Sequence, residues 1–119
     1  MYELPENLDL TFLIGQEVNL ISVGPYDAGI AMGDVVIQAF HKLEGEVAGV
    51  RKLWFDGQWI TTDDIIAIPK QEVVAVTKES DLILKLGLSN GDALFFHTEV
   101  SSYESITINN RKDGRVEVI

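Results

Sequence analysis

The chain contains no cysteine among its 119 residues. Disulfides and thiolate metal sites are thereby excluded, and a reducing compartment suits the composition. Positive charge is scarce: nine Lys and Arg stand against 19 Asp and Glu, a formal net charge of −10. A surface that negative repels phosphate backbones and anionic lipid and speeds encounter with basic partners. Neither nucleic acid nor a membrane is therefore expected as a partner, although acidity that merely keeps a small protein soluble explains the same balance. The longest apolar run, Leu82 to Leu88, is broken by Lys85 and is much shorter than a bilayer span. The start, Met1 to Glu6, lacks the basic stretch and apolar run of a signal peptide, which makes the cytoplasm the expected location.

Catalytic spacing is missing as well. The glycines stand singly at turns, without the G-x-G-x-x-G or G-x-x-x-x-G-K spacing that cradles phosphate. The hydroxyls of Ser101, Ser102 and Ser105 lie in neither a G-x-S-x-G elbow nor an S-x-x-K motif. Carboxylates are so plentiful that pairs such as Asp63 with Asp64, or Glu44 with Glu46, say little about acid-base chemistry. The expectation is a protein that is not an enzyme, with no catalytic residues and no cofactor.

What the chain does have is self-similarity. Residues 9–22 align without a gap on residues 64–77, sharing Asp9 with Asp64 and the Gln-Glu-Val triplet at 16–18 and 71–73, an offset of 55 residues. Each copy continues through a Gly-Asp pair, Gly33-Asp34 or Gly91-Asp92, to a histidine, His41 or His97. Such an offset marks a repeated supersecondary unit, here residues 9–41 and 64–97 of a single domain spanning 1–119. The copies differ at Pro69-Lys70, where a glycine equivalent to Gly15 is expected.

Strand signals dominate. Leu82, Leu84, Leu86 and Leu88 fall on one face of a strand. If Asn90-Gly91 is a two-residue turn, Leu88 faces Ala93 and Leu84 faces His97. The Asp56-Gly57 turn sets Trp54 opposite Trp59. Gly33-Asp34 pairs Met32 with Val35, Ile30 with Ile37 and Tyr26 with His41, and a three-residue loop at Lys112-Asp113-Gly114 pairs Ile108 with Val118. Short helical turns are expected within residues 5–14 and 61–66, the second limited by Pro69. Glu44 to Gly49 reads as the loosest segment. The fold class expected is all-β and mainly antiparallel: a sandwich or partly open barrel built from two similar halves of about 55 residues, with one or two helical turns at most.

Two sets of residues are candidates for function. His41 and His97 end corresponding strands and, if the halves pack about a two-fold axis, could hold a divalent metal together with a glutamate. The plainer reading is an imidazole bonded to a backbone carbonyl. Trp54 and Trp59, beside Arg51 and Lys52, form an aromatic surface of the kind enriched at binding hot spots, or simply cover one end of the core. Tyr103 and Glu104, in the bend after the second copy, complete the candidate binding residues.

The run Gln71 to Val76, the hairpin Leu82 to Leu94 and the element Tyr103-Glu104-Ser105-Ile106-Thr107-Ile108 resemble small uncharacterised bacterial β-rich proteins, some of them regarded as toxin-immunity proteins. The resemblance covers about the last fifty residues and implies a non-enzymatic protein-binding module whose acidic surface meets a basic partner. A small-ligand or metal site between the halves is the alternative, and a homodimer through an exposed hairpin edge or the tryptophans is a third.

Overall fold

The computed structural model describes residues 4, 9–100 and 105–119. These form ten strands: β1 (Leu20–Val23), β2 (Ala28–Met32), β3 (Val35–Ala39), β4 (Lys42–Val47), β5 (Val50–Asp56), β6 (Val73–Ser80), β7 (Ile83–Leu88), β8 (Ala93–His97), β9 (Ile106–Asn110) and β10 (Arg115–Val118). The fold is all-β and antiparallel, as the alternation and turn residues predict. It is an open sandwich of two five-stranded sheets, ordered β1-β2-β3-β9-β10 and β5-β4-β8-β7-β6, and not a barrel. Among the described residues the expected short helical turns are 3-10 turns at Thr11–Leu13 and Ile65–Ala67. Among the described residues, no helix is long and apolar enough to cross a membrane.

Each sheet draws on both parts of the sequence. The meander β1-β2-β3 is completed by the hairpin β9-β10, and the meander β6-β7-β8 by the hairpin β4-β5. Inward-facing residues form rows across the strands. Ile21, Ile30, Ile37 and Ile108 lie side by side in the first sheet; Leu84, Phe96, Leu43 and Phe55 do so in the second. All but Ile21 are fully or almost fully buried, and burying such side chains contributes about 1.5–3 kcal/mol each.

The two Gln-Glu-Val triplets lie antiparallel against each other, with Glu17 bridged to Glu72. Gly15 N–H donates to the Val73 carbonyl at 2.8 Å and Lys70 N–H to that of Val18 at 2.7 Å; Val18 N–H donates to Gln71 at 2.8 Å and Val73 N–H to Gln16 at 2.9 Å. Each bond becomes its counterpart when 55 is added to one partner and subtracted from the other. Gly15 has φ +92° and Lys70 φ +77°, so a lysine occupies the left-handed conformation that glycine takes at the matching position.

Several registers differ from expectation by one residue, which turns every affected side chain to the opposite face. The hairpin Met32↔Val35, Ile30↔Ile37 is as expected, although its pairing ends at Ala28↔Ala39 and does not reach Tyr26 or His41. At Asn90-Gly91 the loop has three residues: Gly91, at φ +93°, donates to Leu88, and Leu88 N–H bonds Asp92. The cause is the Asp92 carboxylate, buried where it accepts from Gln71 Nε2 at 2.9 Å and from the Ala48 N–H at 3.1 Å. With Asp92 held there, Leu84 meets Phe96, and His97 meets Ile83 on the outer face instead of joining the leucines. The last hairpin closes with Asn110↔Arg115, so Ile108 meets Glu117 and not Val118.

Residues 44–49 are not loose. They lie in β4, between β5 and β8, and in a tight turn whose Ala48 (φ +53°) and Gly49 (φ +81°) are both left-handed. A bulge opposite Leu43 and Glu44 leaves Trp54 as the extra residue of β5. Its ring lies flat over Gly45, where a Cβ would stand only 2.0 Å from Cζ2.

Candidate functional site

The tryptophans do not form a shared surface. Trp54 is fully buried, its indole N–H unpartnered. Trp59 pairs instead with Phe55, ring centroids 5.5 Å apart, and its indole N–H donates to the Gly24 carbonyl at 2.8 Å. Tyr103 and Glu104 lie outside the described residues.

The histidines do not come together either. Lys42, and not His41, faces His97 in the β4–β8 register. His41 lies 3.7 Å from Glu99, while His97 Nε2 bonds Glu44 Oε1. Among the described residues no group of three or more His, Asp or Glu is spaced to hold a metal, and the paired-histidine metal site does not form.

His97 instead belongs to a network on the outer face of the second sheet. Arg51 grips Glu44 with Nε at 3.1 Å and Nη2 at 3.0 Å, reaches Glu79 with Nη1 at 3.0 Å, and lays its guanidinium 3.6 Å over the Phe95 ring. Desolvation is the largest single influence on Glu44 and opposes ionisation. Hydrogen bonds from Arg51 and His97, with their charges, together outweigh it and hold the carboxyl below its ordinary value. The Glu44 bond, followed by that of Glu79, raises Arg51 against its own desolvation. Every charge here is satisfied by a neighbour, which suits a brace across β4, β5 and β6 better than a reacting centre.

An accessible groove lies at the other sheet. Between Leu20, Ile21 and Val23 of β1 and Ile65 and Ile66 of the second 3-10 turn, with Pro69 just after it, runs a mainly apolar groove of about 350 Å³. Ile66 is 85% exposed and Val23 57%. Three features position the groove: the triplet pairing just before β1, the Trp59 bond just after it, and Pro69, which stops the turn at Ala67. Lys52 pairs with Asp64 at 2.9 Å at the start of that turn, with exposed Asp63 next to it in the chain.

The β1 edge also offers backbone. Gly24 N–H donates to Asp27, and antiparallel alternation then makes Ser22–Gly29 and Leu20–Ala31 the hydrogen-bonded pairs. The N–H and C=O groups of Ile21 and Val23 therefore point away from β2, beside the groove. The other edges are blunted in ways proteins use against unwanted pairing. β5 has Arg51, Lys52 and a bulge; β6 has Lys78, Glu79 and two register shifts; β10 has Arg115 and Glu117. β1 carries no charge, and its pairing with β2 is regular from Leu20 to Val23.

Composition and motif spacing do not reveal these residues, because no chemical group marks them. A signal was nonetheless present: Val18 to Tyr26 is uncharged over nine residues of a strongly charged chain. Comparison of the chain with protein-family models, with curated proteins and with solved structures finds no match.

Proposed function

We propose that the chain is a non-enzymatic protein-binding module that accepts an extended segment of a partner as an additional strand on β1. The observation carrying this reading is the unblunted β1 edge beside an apolar groove. Main-chain bonds to Ile21 and Val23 would supply affinity, and the groove would select alternate apolar side chains, the logic of strand addition. The net charge of −10 favours a segment with basic flanks. A basic protein partner of this kind fits an immunity-like role. The mutually satisfied Glu44–Arg51–His97 network supports a binding reading over a catalytic one.

The test is backbone amide exchange with a synthetic peptide of about seven residues alternating Val and Thr between terminal lysines. Saturable protection of the Ile21 and Val23 amides is expected, and it should weaken when glutamates replace the lysines. Protection at β5, β6 or β10 instead, or none at millimolar peptide, refutes strand addition at β1.

A further inference from the structure

The outer face of the first sheet carries a regularity that the groove does not use. The pairings place Leu20, Ala31, Val36, Asn109 and Val116 in one row across all five strands, and Ser22, Gly29, Gln38, Thr107 and Val118 in the next. None of these ten side chains is charged. The corresponding rows of the second sheet hold Lys85, Glu44, Glu46 and Arg51. Leu20 is 56% exposed, Val116 55% and Val118 48%. Phe40, partly exposed, extends the neutral face past Gln38, and Asp27, which accepts from Gln38 Nε2, stands at its rim.

We infer that this face is the contact surface for a second copy of the chain, the two first sheets packing face to face about a two-fold axis. Charge selects the occupant. A basic partner finds no acidic group on these rows, whereas another copy carrying −10 can approach without like-charge contact only across a neutral surface. Neutral rows of Val, Leu, Thr and Asn are self-complementary, as a two-fold contact requires. Gly29, Ala31 and Ser22 keep part of the face low enough for sheets to approach to about 10 Å.

The area is small. Five strands at ~4.8 Å and four residues at ~3.3 Å give a footprint of roughly 24 by 13 Å. The two bare rectangles come to only ~620 Å² together, so even with side-chain relief and the Phe40 margin the contact belongs to the small, weak class of interfaces and a dimer is expected only toward the top of the micromolar range. Such a dimer leaves both β1 edges open.

Sedimentation equilibrium of the full chain at about 10–500 μM tests the inference. A dimer is expected at physiological ionic strength, with association at least about tenfold weaker at roughly 10 mM salt, where the repulsion between the two acidic bodies is unscreened. Val36→Lys and Thr107→Lys on the contact face should give monomers with unchanged circular dichroism. Thr77→Lys, on the outer face of the second sheet, should leave the dimer intact. Should Val36→Lys fail to fold, Asn109→Lys, at an exposed position of the same row, replaces it. A wild-type chain that remains monomeric at the top of that concentration range, or a dimer that survives both face substitutions, overturns the inference. Peptide binding at β1, read separately by amide exchange, is unaffected by either result.

Discussion

Gly45→Ala offers a sharp test of how the second sheet is packed, because two physical arguments give opposite signs. Glycine within a strand costs conformational entropy and packs nothing, so where space allows, alanine should stabilise by about 0.5–1 kcal/mol. At Gly45 there is no space. A Cβ would lie 2.0, 2.2 and 2.4 Å from three atoms of the Trp54 ring, and the ring, fully buried, has nowhere to move without giving up part of its contact. Overpacking of this kind costs about 1–3 kcal/mol, and partial expulsion of a Trp that buries roughly 150–250 Å² adds to it. The expected loss is about 2–4 kcal/mol. For 119 residues with an unfolding entropy of about 2.1 cal/mol/K per residue, that lowers Tm by roughly 8–16 °C. Calorimetry and urea unfolding of Gly45→Ala, of Trp54→Val and of the double variant complete the cycle. Once Trp54→Val has removed the ring, the alanine should cost almost nothing. A Gly45→Ala chain as stable as the parent, or an equal loss with and without the indole, would refute the packing argument.

Further outcomes follow from the same geometry. Lys70→Gly should raise stability in urea unfolding by about 0.5–1 kcal/mol by relieving a left-handed residue at φ +77°; a fall would mean that the lysine side chain contributes more than its backbone costs. Glu44→Gln should cost about 1–3 kcal/mol at neutral pH. Since the folded-state pKa of Glu44 lies below its ordinary 4.5, the stabilisation is complete above that value and is lost as pH falls through the lower, folded-state value. The gap between parent and variant should therefore narrow in acid, and a gap unchanged at about pH 3 would remove ionisation as its source. Trp59→Phe, which deletes the bond to the Gly24 carbonyl, should cost about 1 kcal/mol in the same unfolding assay; no loss would show that the bond does not hold the end of β1. Ile66→Asp should change stability by less than about 0.5 kcal/mol while weakening peptide capture in the exchange assay, and equal capture would place the peptide elsewhere.

The legible parts of the fold are those fixed by local chemistry. Alternation marks β7, Gly33-Asp34 gives the correct register of β2 and β3, and Pro69 limits the second helical turn. Registers fail where a distant partner intervenes. The burial of Asp92 against Gln71 and Ala48 lengthens the Asn90-Gly91 loop, and the Trp54 bulge depends on a glycine in another strand. Those two events move His97 to the outer face and take Trp54 out of register with Trp59. The groove escapes notice for a different reason. It joins residues 20–23 to residues 65–69 through backbone pairing of the Gln-Glu-Val triplets, and apolar side chains so far apart in sequence carry no motif.

The exchange of hairpins between sheets also bears on how the chain emerges from a ribosome. When synthesis has reached Trp59, β1 to β5 exist, but β3 lacks β9 and β4 lacks β8, so no sheet has more than three strands. The first sheet waits for β9 and β10, the last two strands in chain order. The first sheet therefore closes only through pairings of long sequence separation, the kind that form slowly, and an incomplete chain presents unpaired strand edges until β9 and β10 have been made.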